Sequence, residues 1–103
     1  MRIYGLKTCD SCRKAAKLLG APINDVRDCP LSDAQLDAFL AQFGQALVNQ
    51  RSTTWRSLTE DERSANARDL LRQYPALMKR PVIEDDAGAL YLGWGAEVRE
   101  RLL

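Results

Sequence analysis

The sequence predicts an α/β fold in the order strand-helix-strand, a helical stretch, then strand-strand-helix. Three observations carry that expectation. Short segments containing β-branched and aromatic residues occur at 1–4, 23–28, 81–83 and 90–92. Between and after them, apolar residues recur at helical spacing. The length of 103 residues, 46% apolar and 28% charged, suits one globular domain spanning residues 1–103.

Met1 to Tyr4 is expected as the first strand, with Ile3 and Tyr4 as its β-favouring residues. Gly5 to Thr8 breaks it. From Cys9 the pattern turns helical: Cys12, Ala15, Ala16 and Leu19 fall at i, i+3, i+4 and i+7, with Arg13, Lys14 and Lys17 between them. Gly20 followed by Pro22 ends that helix. Ile23 to Asp28 reads as a weaker second strand. Ser32 opens a second helix, because Gln35 three residues later has capping-box spacing. Leu36, Phe39, Leu40 and Phe43 form its inward face, and Gly44 stops it.

The segment Asn49-Gln50-Arg51-Ser52-Thr53-Thr54-Trp55 is too polar for a core and predicts an exposed turn region. Thr59 opens a further helix, Glu60 to Tyr74, with Leu70 and Leu71 inward. Tyr74-Pro75 interrupts it before one more turn at Ala76-Leu77-Met78. Arg80-Pro81-Val82-Ile83 enters a third strand. Asp85-Asp86-Ala87-Gly88 is a hairpin turn, and Leu90-Tyr91-Leu92 returns. Gly93-Trp94-Gly95 precedes a closing helix, Ala96 to Leu103.

Composition restricts the chemistry. There is no histidine, which excludes Ser-His-Asp triads, Cys-His pairs and imidazole metal sites. Fifteen basic and 14 acidic residues leave a net charge of +1. Such a balance supplies no field for nucleic acid or an acidic membrane, and neither is expected as a partner. No apolar run approaches the roughly 20 residues of a membrane span, and the N-terminus carries no apolar signal segment. The expectation is a cytoplasmic monomer with reduced thiols, a metal site or redox catalysis at its three cysteines.

Cys9-Asp10-Ser11-Cys12 is a Cys-x-x-Cys after a strand and at the start of a helix. A helix N-terminus offers unpaired backbone N–H groups and positive partial charge, and both favour a thiolate. Lys7 and Arg13 add positive charge nearby. Cys12, one turn on, is placed to resolve a mixed disulfide on Cys9. Zinc needs about four ligands, and only Cys29 remains beyond the pair, so no metal is expected. The alternative for the pair is inert core packing. Cys29 reads as a loop cysteine or as a third redox thiol.

The element order with its Cys-x-x-Cys resembles the thioredoxin fold. Ile3-Tyr4-Gly5 leading to Cys9, Asn49-Gln50-Arg51-Ser52-Thr53-Thr54-Trp55, and Pro75-Ala76-Leu77-Met78-Lys79-Arg80-Pro81-Val82 sharpen the likeness. Together they resemble the arsenate reductase (ArsC-like) and Spx family, closest to its YffB-like branch. The resemblance implies a four-stranded mixed sheet with a helical insertion between strands 2 and 3. It implies Cys9 as nucleophile, with Arg80 and Pro81 beside it across a peptide bond that is usually cis. Lys7, Arg51 and Arg80 would lower the Cys9 pKa or hold an anionic substrate.

Glutathione-dependent arsenate reductases cradle the oxyanion with three arginines. Arg80 matches one; Asn49 and Gly93 stand at the others, with Arg51 two residues past Asn49. The expected function is therefore thiol-disulfide exchange, with Cys9 and Cys12 catalytic. Glutathione is the expected co-substrate, no cofactor is tightly bound, and glutaredoxin is a candidate partner. The alternatives are arsenate reduction, and an Spx-like redox switch that docks on RNA polymerase. Arg51 reads either as an anion ligand or as a partner of Glu60, Asp61 or Glu62. Trp94 reads as pocket rim or as packing, and Trp55 as packing.

Overall fold

The computed structural model describes residues 1–103. In chain order the elements are β1 (Arg2–Gly5), α1 (Asp10–Leu19), β2 (Ile23–Asp25), α2 (Asp33–Phe43), α3 (Thr53–Arg56), α4 (Glu60–Arg63), α5 (Ala67–Gln73), β3 (Val82–Glu84), β4 (Leu90–Leu92) and α6 (Ala96–Leu102). Short 3₁₀ turns occupy Gly44–Leu47 and Pro75–Leu77. Two units emerge, residues 1–29 with 80–103, and residues 30–79. No helix is long and apolar enough to cross a membrane.

The first unit is built on a mixed sheet of order β2-β1-β3-β4. β1 and β2 run parallel, joined through α1, while β1–β3 and β3–β4 are antiparallel. The register aligns Ile23, Ile3, Ile83 and Tyr91 in one row across all four strands. Side chains on a strand alternate between faces, so the row presents one apolar surface. Ala15, Ala16 and Leu19 of α1 and Val98 and Leu102 of α6 pack in the cluster around Ile3 and Ile83. Trp94 belongs to the same cluster, which makes it a packing residue. α1 ends at Gly20, whose φ of 64° is left-handed and whose N–H returns to Ala16 O.

The helices of the second unit start where short polar side chains cap them. Ser32 and Gln35 form the expected capping box on α2, and Thr59 and Glu62 form another on α4. Arg68 bridges Asp33 and Asp37, and Arg72 also reaches Asp33, tying α5 to α2. Asn49 N–H donates to Leu77 O and Lys79 N–H to Leu47 O, joining the middle of the unit to its C-terminal end.

Four expectations need correction. The second strand stops at Asp25, because Arg27 N–H donates to the Asp25 carboxylate and Cys29 N–H to Asp25 O, turning residues 26–29. The polar 49–55 segment is not all turn, since the Ser52 hydroxyl caps the short helix α3. The helix expected over 60–74 is two helices. Ser64 closes α4 through its N–H and hydroxyl, and Asn66 opens α5 by accepting from Asp69 N–H. Within α2, Leu36 and Phe39 are buried, while Leu40 and Phe43 are only half-buried.

Candidate active site

Strand β1 leaves the sheet at Gly5 and turns tightly through Leu6, Lys7 and Thr8. Cys9 N–H closes that turn on Leu6 O at 3.0 Å. Cys9 is extended, with φ −84° and ψ 124°, and is the N-cap of α1. Its carbonyl takes the first helical bond, from Arg13 N–H at 3.0 Å. Cys9 is partly exposed, whereas Cys12 is fully buried one turn later. All three cysteines are free thiols.

Two glycine and proline positions shape the ground beneath the thiols. A β-carbon on Gly5 would stand 2.3 Å from Cys12 Sγ and 3.8 Å from Arg80 Cβ. Gly5, Cys12 and Arg80 therefore share one small volume at the end of β1. The Arg80–Pro81 peptide is cis, as the family resemblance implied, and Pro81 is buried. Gly93 N–H donates to Pro81 O at 2.8 Å, holding the entry to β3 against the exit of β4.

Electrostatics separate the two thiols. Burial pushes Cys9 up, but the Cys12 backbone N–H, a hydrogen bond from Arg80, the Cys12 thiol and the Arg80 charge outweigh it. The net direction is down. The sulfur makes no fully formed cap bond, yet the Cys12 N–H at the third helical position still favours its thiolate. Cys12 moves the other way. Burial, with the neighbouring Cys9, pushes it up to about 12, against the Leu6 backbone N–H and the Arg80 charge. The two thiols are thus tuned in opposite directions, the partly exposed Cys9 toward the thiolate and the buried Cys12 toward the thiol.

Lys7 enters this arrangement through its backbone. Its N–H donates to Asp25 Oδ2 at 3.0 Å, and its side chain is exposed; the charge acting on Cys9 is that of Arg80. Arg51 lies in the 30–79 unit, exposed, with its N–H on Asn49 Oδ1. Its guanidinium takes part in none of the salt bridges, and Glu62 is engaged by Thr59 N–H and the Tyr74 hydroxyl. Arg63 donates to the carbonyls of Trp55 and Arg56 and lies 5.3 Å from the Trp55 ring centre, so Trp55 packs, as expected. Cys29 is exposed at the turn after β2.

Sequence reasoning missed two residues. Gly5 reads as a strand breaker, and nothing local shows that Cys12 lies against it. Asp25 falls inside the expected 23–28 strand with nothing local to single it out, because its partner Lys7 is 18 residues away. No three His, Cys, Asp or Glu side chains converge as a metal site.

The chain is similar to known proteins over nearly its whole length. A model of the ArsC family matches residues 4–101. An uncharacterized protein of Haemophilus influenzae is 39% identical over 98 residues, covering 85% of this chain and 86% of that protein. Among solved structures, a YffB protein superposes with a TM-score of 0.84 at 26% identity, covering 98% of this chain and 96% of its own. An arsenate reductase (ArsC) related protein from Brucella melitensis superposes at 0.72 with 34% identity, covering 98% and 93%.

Proposed function

The chain belongs to the ArsC family and is a thiol-dependent redox protein, and from that premise we propose that it is a glutathione-dependent thiol-disulfide oxidoreductase acting through Cys9. The observation that carries the reading is the opposed tuning of the two thiols. Cys9, accessible and beside Arg80, is favoured as thiolate, and Cys12 beneath it keeps its proton. Thiol-disulfide exchange requires such a nucleophile.

In the first step the Cys9 thiolate attacks the glutathione sulfur of a mixed disulfide. The substrate S–S bond breaks, the substrate leaves as thiolate and takes a proton from water, and Cys9 becomes glutathionylated. In the second step a glutathione thiolate attacks the bound glutathione sulfur. Glutathione disulfide leaves with two glutathione sulfurs, and Cys9 returns as thiolate. One disulfide is reduced and one is formed, so electrons balance. Cys12 offers a parallel exit: it loses its proton, attacks Cys9 and releases glutathione, leaving a Cys9–Cys12 disulfide for later reduction. Its proton becomes easier to lose once Cys9 carries no charge, because the Cys9 charge is one of the causes that raise it. Arg80 hydrogen-bonds Cys9 and favours its thiolate, and its fork of donors would suit an incoming carboxylate.

The test is NADPH consumption in an assay coupled to glutathione, glutaredoxin and glutathione reductase, comparing a small glutathione mixed disulfide with arsenate. The Cys9→Ser protein is the blank. Turnover of the mixed disulfide that disappears in Cys9→Ser is the expected result. Turnover of arsenate would replace the proposal with arsenate reduction. Silence on both would overturn it in favour of a redox-switched binding protein, whose partner a pull-down for RNA polymerase would check.

A further inference from the structure

Asp25 is the one buried charged side chain of the core, 7% exposed, and it lies at the end of β2 rather than in the Cys-x-x-Cys. Burying a carboxylate is costly unless its oxygens are hydrogen-bonded. Both oxygens here are. Oδ2 accepts Lys7 N–H at 3.0 Å and Oδ1 accepts Arg27 N–H at 2.9 Å. The Arg27 bond is an ordinary local Asx turn. The Lys7 bond is not local: it crosses 18 residues and grips the turn that carries Cys9.

A second contact grips the same turn. Arg27 Nη2 donates to Thr8 Oγ1 at 3.2 Å, while its Nε lies 3.9 Å from Asp25 Oδ1. Lys7 and Thr8, the two residues before the nucleophile, are thus held from one side by the Asp25–Arg27 pair. From the other side the turn meets both cysteines: Leu6 O receives the Cys9 backbone N–H, and the Leu6 backbone hydrogen-bonds the Cys12 thiol. A shift of the turn must move Cys9 relative to the Cys12 N–H and Arg80.

We infer that Asp25 is a positioning residue for Cys9: its two carboxylate oxygens, with Arg27, clamp the Lys7–Thr8 turn so that the Cys9 sulfur stays over the start of α1 and beside Arg80. The chemistry explains why an aspartate is needed. Asparagine has one acceptor oxygen and would set an NH₂ group against one of the two backbone N–H donors. Glutamate is a methylene longer and would not fit a buried turn without moving the chain. The groups facing Cys9 are Arg80 and Cys12, and neither is altered when Asp25 is changed.

The inference rests on the reading of Cys9 as the reactive thiol, and the test separates the two. The rate of iodoacetamide alkylation of Cys9 in the full-length reduced protein is followed against pH by the mass of the Cys9 peptide. Wild type, Asp25→Asn and Asp85→Asn are compared. Asp85 caps the β3–β4 hairpin with Ala87 and Ala89 N–H at the opposite end of the sheet, so its variant controls for general destabilisation. Asp25→Asn is expected to slow alkylation near neutral pH by roughly three- to tenfold, with the same plateau at high pH, since only the thiolate fraction changes. Asp85→Asn should leave the profile in place while lowering the melting temperature. An Asp25→Asn profile identical to wild type overturns the clamp and leaves Cys9 as nucleophile. A wild-type Cys9 that titrates like an ordinary thiol overturns the underlying reading instead.

Should Asp25→Asn not fold, Arg27→Met replaces it. This removes the Thr8 contact from a half-exposed side chain and keeps both backbone donors. A smaller shift in the same direction supports the clamp, and an unshifted profile overturns it.

Discussion

Gly5 and Cys12 occupy neighbouring space so closely that a β-carbon on the glycine would lie 2.3 Å from the cysteine sulfur. No pair of real atoms of this kind approaches so near, so any side chain at Gly5 must displace the thiol or the strand. Gly5→Ala is therefore expected to cost about 1–3 kcal/mol, the range for overpacking a filled core. Urea denaturation checks this. The same variant should also alter the alkylation profile of Cys9, because the displaced Cys12 thiol is one of the groups hydrogen-bonded to Cys9.

Arg80 acts on Cys9 through a hydrogen bond and through charge. Both stabilise the thiolate, whereas burial, the largest single influence, opposes it. Arg80→Gln removes the charge and leaves the burial, so the Cys9 titration should move upward. Alkylation at neutral pH should fall by roughly three- to tenfold. Arg80→Lys should recover part of the charge and little of the planar geometry. A stopped-flow pH profile of the three proteins gives the answer.

Cys12 keeps its proton in the reduced protein and is buried. In Cys12→Ser, exposure to oxidised glutathione without reduced glutathione should leave one glutathione on Cys9, stable in an intact-mass spectrum. Wild type under the same conditions should release it and form the internal disulfide. Added reduced glutathione should clear the adduct from the variant. An adduct on Cys29 instead of Cys9 would contradict the assignment of the nucleophile.

Acid should destabilise the fold through three carboxylates. Asp25 is held low first by Lys7 N–H, Glu62 by Thr59 N–H and then the Tyr74 hydroxyl, and Asp85 by Ala89 N–H. Each folded value lies below the unfolded one. Their contribution is thus complete above the ordinary carboxylate range, about pH 4, and is lost as pH falls through the folded values. The melting temperature should be insensitive to these groups from neutral pH to about 5 and should drop below about 4. Asp85→Asn should flatten part of that drop.

Helix capping gives a prediction for the 30–79 unit. Ser32 accepts Gln35 N–H at 3.1 Å, and Gln35 Oε1 accepts Ser32 N–H at 2.9 Å. Ser32→Ala removes one of these bonds at the start of α2 and should cost about 1 kcal/mol in urea denaturation.

Much of this protein is determined by local chemistry and is therefore legible in the chain. Gly20 before Pro22 ends α1, and Ser32 with Gln35 starts α2. Asp85 to Gly88 turns the hairpin, and the β-branched segments mark the strands. The Cys-x-x-Cys announces itself because strand, turn and helix start are consecutive in sequence. Where two local signals compete, the sequence is a poorer guide: the start at Thr59 and the inward Leu70 and Leu71 suggest one long helix, but Ser64 and Asn66 bond to nearby backbone and divide it. What only the tertiary structure decided are relationships between residues far apart in the chain. Gly5 needs to be glycine because Cys12 folds against it, and Arg80 reaches Cys9 because β3 pairs with β1. Asp25 grips Lys7 because β2 lies parallel to β1. Hydrogen bonds and charges act over a few ångströms of space, and residue types alone do not say which distant segments the sheet will bring within that range.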